Sequence, residues 1–124
     1  KRVVLCSGKI YYDLLSERDA RSINNIYLLR LEQFYPFPAQ SMVKELSRFP
    51  NAEFIWCQEE PKNQGAWTFV EPNIEWILTR IEHKNKRPFY VGRNTSASPA
   101  TGLADQHKSE QTALVNDALT LEGE

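Results

Sequence analysis

Four short apolar runs alternate with stretches of helical periodicity along the chain. Val3-Val4-Leu5-Cys6 is continuously apolar and bounded by Ser7-Gly8, the pattern of a strand covered on both faces. From Lys9 to about Arg21, Ile10, Leu14 and Leu15 share one helical face while Asp13, Glu17, Arg18 and Arg21 fall mostly on the other. Asn24-Asn25 is expected to break that helix, and Ile26–Leu31 to form a second strand. The prolines of Glu32–Pro38 exclude a continuous helix there, because each pushes its predecessor toward extended geometry. Met42, Val43, Leu46 and Phe49 then mark the inner face of a short helix over Ala39–Phe49, stopped by Pro50-Asn51. Glu53–Cys57 reads as the third strand.

Past the third strand the chain turns polar: Gln58-Glu59-Glu60, then Pro61, Lys62, Gln64, Gly65 and Trp67. Val70, Ile74, Ile77, Leu78 and Ile81 follow helical spacing, and the reading preferred here is one helix starting at or just after Gly65 with Pro72 inside it. Lys84–Arg87 is a basic turn, Pro88–Gly92 a fourth strand and Arg93–Gly102 a small, polar, irregular stretch. A last helix, from about Leu103 to Leu121, carries Leu114, Val115, Ala118 and Leu119 on its inner face. The order β-α-β-α-β-α-β-α predicts an α/β fold, a mostly parallel sheet with helices on both faces. Right-handed crossovers bring the ends of parallel strands to one rim. Three polar loops gather there: Ser7-Gly8-Lys9, Gln58–Gln64 and Arg93–Thr101.

Length and composition narrow the function. A chain of 124 residues suits one domain spanning 1–124, and 41% hydrophobic with 25% charged residues is the balance of a globular domain. A net charge of -1 gives no basic face for nucleic acid, and no apolar run is long enough to cross a bilayer. The two cysteines, Cys6 and Cys57, belong to no CxxC pair and are expected to be reduced core thiols. With His83 and His107 distant, they do not make a metal set. The chain opens on Lys1-Arg2-Val3 without methionine, which is expected of a fragment of a longer, multidomain protein.

The candidate chemistry is thin. Ser7-Gly8-Lys9 is too short for a phosphate loop, but a helix N-terminus beside an ammonium can hold an anion. Glu59 and Glu60 are neighbours in an extended segment, point opposite ways and would not serve one substrate. One of them is expected to accept hydrogen bonds from backbone amides or from an arginine such as Arg30 or Arg93. Free amides at Gln64-Gly65 are a second place for a ligand or a neighbouring domain. Trp56 and Trp67 are expected to pack. Arg93 with Ser96 and Ser98 is a candidate phosphate cluster, unless Arg93 pairs with Glu59 and the serines cap the last helix. No catalytic triad, Cys–His pair or dinucleotide glycine signature is present.

CSGKIYYDLL, RLEQFYPFP, WCQEEPKNQGAW and SASPATG, in this order and spacing, resemble the C-terminal domain of the thiamine-diphosphate-dependent 2-oxoglutarate dehydrogenases, from about Val3 to Leu119. The resemblance implies a transketolase C-terminal-like fold: a three-layer sandwich whose mixed, mostly parallel sheet has one antiparallel edge strand. Only four strands are legible, and a fifth is expected before Lys1. It also implies a parent enzyme that decarboxylates 2-oxoglutarate on thiamine diphosphate with Mg²⁺ and passes succinyl to a lipoyl arm. Its partners would be the upstream thiamine-binding domains, a homodimer mate, dihydrolipoyl succinyltransferase and dihydrolipoyl dehydrogenase. The compartment would be the bacterial cytoplasm or the mitochondrial matrix. The cofactor and catalytic residues lie upstream in that family, so none is assigned here and the fragment alone is expected to be inactive. Some members carry an allosteric nucleotide or acetyl-CoA site near the domain junction; the matching positions are Ser7, Lys9 and Gln58, with Arg30 and Arg93. Asn94-Thr95 and Leu103 depart from the common pattern around SASPATG.

Overall fold

β1 (Arg2–Cys6) is the buried axis of the structure, a computed structural model that describes residues 1–32, 34, 37–93 and 104–120, the last stretch in side-chain detail only from residue 109. It pairs with β2 (Ile26–Arg30) on one side and β3 (Glu53–Pro61) on the other, and β4 (Phe89–Arg93) adds to β3. The order is β2-β1-β3-β4 and every pairing is parallel. The four strands are those the apolar runs predict. The antiparallel edge strand implied by the family resemblance is not among the described residues.

Alternation along β1 sorts the core. Val3 and Leu5, with Phe54 and Trp56 of β3, face α2 (Ala39–Leu46) and α3 (Trp67–Arg80) through Met42, Leu46, Val70, Ile74 and Leu78. Val4 and Cys6, with Ile55 and Cys57, face α1 (Ile10–Ala20) and α4 (Ala104–Leu119) through Ile10, Leu14, Leu114 and Ala118. Such a sheet, covered twice, needs apolar residues at consecutive positions, which is why β1 lacks an alternating pattern.

Strand order creates a switch point. From β1 the chain crosses to β2 by way of α1, and from β3 it crosses the other way to β4 by way of α3. The two crossover helices therefore lie on opposite faces, and a crevice opens at the carboxyl ends of β1 and β3, where open α/β sheets bind ligands.

The helix boundaries agree with the sequence reading at α1 and α3, while α2 stops at Leu46, short of Phe49. α1 stops before Asn24-Asn25: Ser22 takes a left-handed φ of 54°, Ser22 N–H donates to Asp19 O at 3.1 Å and Ile23 N–H to Arg18 O at 3.1 Å. α3 ends the same way, with Glu82 at φ 54° and His83 N–H donating to Leu78 O at 2.9 Å. These six-to-one bonds satisfy the last carbonyls, a position usually given to glycine. α3 does run through Pro72 as one helix, starting at Trp67. The proline removes the donor that would meet Thr68 O, and the Asn73 side chain bonds the neighbouring Phe69 O at 2.8 Å.

One contact was not legible in the sequence. Arg2 is only 7% exposed. Its Nε lies 2.6 Å from Glu53 Oε1, and Nη1 donates to the carbonyls of Asp117 (3.1 Å) and Ala118 (3.0 Å). It clips the C-terminal end of α4, where carbonyls lack intrahelical donors, to the amino edge of the sheet. At the same end, His83 Nδ1 accepts from Asn85 N–H at 2.9 Å, so its Nε2 carries the proton and donates to Phe49 O at 2.8 Å.

Two predictions follow from these contacts. Arg2→Met, which leaves Glu53 and two carbonyls without their partner, is expected to lower unfolding free energy by about 2–4 kcal/mol in urea titration. Glu82→Gly is expected to raise it by roughly 0.5–1 kcal/mol by the same measurement, because glycine adopts the left-handed cap without steric cost.

Candidate functional site

β3 continues four residues beyond Cys57, so Gln58, Glu59 and Glu60 belong to the strand and not to a loop. Its register against β4 explains the difference. Cys57 pairs with Val91 and Pro61 with Arg93, so four steps on β3 (61−57) oppose two on β4 (93−91), a bulge of two extra residues. The bulged stretch is fastened at its far end, where Lys62 N–H donates to Arg93 O at 3.0 Å. Gly92 sits against the bulge with no room for a side chain, since a Cβ there would stand 2.6 Å from Gln58 O and from Tyr90 Oη.

Residues in the bulge still alternate. Glu59 turns to the α1/α4 face, where Gln111 Nε2 donates to its Oε1 at 3.3 Å and to Asp13 Oδ2 at 2.9 Å. Glu60 turns the other way and is exposed. The pair does not converge on one point, as its spacing predicts.

Gln58 is 3% exposed. Its Oε1 accepts the indole N–H of Trp56 at 2.9 Å and the backbone N–H of Trp67 at 3.1 Å. Its Nε2 donates toward the carbonyls of Glu60 (3.1 Å), Pro61 (2.9 Å) and Gln64 (2.8 Å). Gly65, at φ 68°, lies against this amide. Trp56 and Trp67 are buried as expected, the latter with its ring centroid 5.3 Å from that of Tyr90.

At the switch point a cleft of about 380 Å³ is lined by Ser7 and Gly8 after β1, by Trp56, Gln58 and Glu60 of β3, and by Phe34, Gly65, Ala66 and Phe69. Its walls mix apolar rings with a hydroxyl and a carboxylate. Ser7 and Gln58, separated by 51 residues, therefore meet in one cavity (58−7). Lys9 is exposed one residue past Gly8 and does not line it.

The two arginines stand apart from the cleft. Arg30 is level with Cys6 and shares the parity of Leu28, on the α1/α4 side. Its guanidinium lies over the rings of Tyr11 (5.7 Å) and Tyr12 (5.2 Å), with Glu32 at 3.4 Å. Arg93 shares the parity of Val91 and reaches α4, its Nε 3.1 Å from Glu110 Oε2 and Nη2 3.3 Å from Gln111 Oε1. Arg93 thus meets Glu59 through a shared partner, Gln111. Ser96, Ser98, Asn94, Thr95, Leu103 and the side chain of His107 lie outside the described residues.

Cys6 and Cys57 are both buried on the α1/α4 face. Burial pushes the Cys6 thiol up to about 12, against a smaller opposing pull from Arg30, and burial raises Cys57 as well. Such thiols are poor nucleophiles. Among the described residues, no three of His, Cys, Asp and Glu are grouped so as to hold a metal ion. No helix among the described residues is long and apolar enough to cross a membrane.

The raised thiols fix the direction of an alkaline effect. A folded-state value above the unfolded one means that the unfolded chain loses its proton first, so stability falls as pH rises past about 9. Each thiol is expected to remove roughly 1 kcal/mol by pH 10. Urea titrations across that range should show the fall, and Cys6→Ala/Cys57→Ala should flatten it.

Sequence comparison agrees with this architecture. The family described as 2-oxoglutarate dehydrogenase C-terminal matches residues 1–119. The 2-oxoglutarate dehydrogenase E1 component of Brucella anthropi is 57% identical over 119 residues, covering 96% of this chain. Those of Brucella ovis and Brucella abortus strain S19 give the same identity and coverage. The chain spans 12% of the length of these relatives. With the switch-point sheet and this extent of identity together, the chain belongs to the 2-oxoglutarate dehydrogenase C-terminal family.

Proposed function

We propose that residues 1–124 are one transketolase C-terminal-like domain that serves regulation and assembly in a 2-oxoglutarate dehydrogenase E1 component. In this reading the parent enzyme decarboxylates 2-oxoglutarate on thiamine diphosphate with Mg²⁺ and transfers succinyl to a lipoyl arm. The chemistry is upstream, and this domain has no turnover alone. It supports the homodimer and, through it, the complex with dihydrolipoyl succinyltransferase and dihydrolipoyl dehydrogenase, in the bacterial cytoplasm or the mitochondrial matrix.

The observation that supports a ligand role is the cleft at the switch point, with Ser7 and Gly8 on one side and the end of β3 on the other. A nucleotide or acetyl-CoA suits its mixture of rings and polar groups. Ser7 would supply a hydroxyl, and Lys9, exposed at the start of α1, an ammonium for a phosphate. Arg30 and Arg93, held on the far face, would add positive potential along the same edge.

A purely structural reading has its own support. Trp76 and Phe89 are 54% and 57% exposed, large apolar surfaces of the kind that interfaces cover. Trp67, by contrast, is buried within the chain and is not available for such a contact.

Calorimetric titration of the intact enzyme with AMP or acetyl-CoA separates the two. Binding weakened roughly tenfold by Ser7→Ala or Lys9→Ala, the scale of one charge-assisted hydrogen bond, is the expected result. Undiminished affinity in both variants, with the dimer lost in Trp76→Ala, would leave only the structural role.

A further inference from the structure

Only one side chain in one orientation satisfies the surroundings of Gln58. The amide oxygen has two lone pairs, and two N–H groups, from Trp56 and Trp67, take them at 2.9 and 3.1 Å. The amide NH₂ has two protons and faces three carbonyls between 2.8 and 3.1 Å. A flipped amide would oppose donor to donor and oxygen to oxygen. Gly65 is packed against the group: a Cβ there would lie 3.1 Å from Oε1 and 3.2 Å from Nε2. The residues it ties belong to different elements. Trp56, Glu60 and Pro61 are on β3, Gln64 is in the turn and Trp67 opens α3. α3 has no side-chain cap from Ala66, and the Trp67 amide is one of the donors that a helix start leaves unpaired. Gln58 fills that role from the strand.

We propose that Gln58 is the positioning residue of the cleft. Its carboxamide holds the Pro61–Ala66 turn and the start of α3 in place as one wall of the cleft. The assignment deepens the proposed ligand role and takes from it the cleft as the site.

Gln58→Glu tests it. The carboxylate keeps the shape but sets an oxygen against three carbonyl oxygens. Protonation returns one donor. In the 124-residue protein, Trp56 and Trp67 touch Gln58 and the third tryptophan, Trp76, is 54% exposed, so near-ultraviolet dichroism reads this wall. The variant is expected to lose that signal near neutral pH and regain it in acid. Its midpoint should lie above the ordinary glutamate value of about 4.3, because burial disfavours the charged form. In the intact enzyme, affinity for AMP should fall roughly tenfold near neutral pH and recover in step. Should the variant not fold, deuterium exchange of the wild-type Gln58 NH₂ protons decides: protection like that of core amides supports the role, and free exchange overturns it. An unchanged dichroism spectrum in Gln58→Glu also overturns it, as does AMP affinity that survives the loss of signal. A pH-dependent spectrum with no AMP binding to the wild type upholds the positioning role and sinks the ligand reading alone.

Discussion

β3 is paired on both edges and covered on both faces, so each of its residues must commit to one side of the sheet. That constraint places nearly everything at the carboxyl edge. Trp56, Gln58 and Glu60 go to the α2/α3 side and line the cleft. Cys57 and Glu59 go to the α1/α4 side, where one is buried as a protonated thiol and the other joins the Gln111 network. A polar side chain that the pleat directs inward must find partners for every donor and acceptor or destabilise the fold. Gln58 finds them in the turn that follows its own strand. The bulge and the buried amide are therefore two parts of one solution, since the extra residues bring carbonyls back within reach of Nε2.

The same constraint divides the family-matched positions into two groups. Ser7 and Gln58 meet in the cleft, while Arg30 and Arg93 lie on the opposite face and at opposite edges of the sheet. Each arginine is engaged locally, one on tyrosine rings and one with Glu110 and Gln111. A point contact from either to a ligand in the cleft would have to cross the sheet edge. A field from both does not, because charge acts over about 8–10 Å at ordinary ionic strength. The cleft and Arg93 are joined mechanically by the Lys62–Arg93 backbone bond and by the Tyr90 hydroxyl, which lies between Glu60 O and Arg93 O.

The sequence made the elements legible because their signals are local. Val3–Cys6 has to be a doubly covered strand, and Leu114, Val115, Ala118 and Leu119 have to be the inner face of a helix, whatever lies around them. Strand order is not a local property. The positions of the crossovers depend on which strands pair, so periodicity does not place the cleft between β1 and β3, although Ser7 and Gln58 beside it stand out in the sequence. The role of Arg2 is non-local for a related reason. At the second position of the chain it looks like a solvated charge, and only the arrival of α4, more than a hundred residues later, gives it carbonyls to bind.

Gln58 shows where such reading misleads. A polar triplet after an apolar run looks like a loop presenting side chains to a ligand, because apolar content is the only mark of a strand available in sequence. Here the strand persists through the polar residues because the polar side chain substitutes for packing: five hydrogen bonds hold Gln58 where a methyl-bearing residue would otherwise be expected. An apolar replacement of similar size would keep the volume and strand the Trp56 and Trp67 N–H groups, each at a cost of about 1–3 kcal/mol if buried. A glutamine at that position is thus selected by the geometry of the turn before any ligand is considered. Its presence alone is no mark of a contact residue. The groups still free to meet a ligand are those the cleft leaves exposed, which shifts the weight of recognition onto the β1–α1 turn.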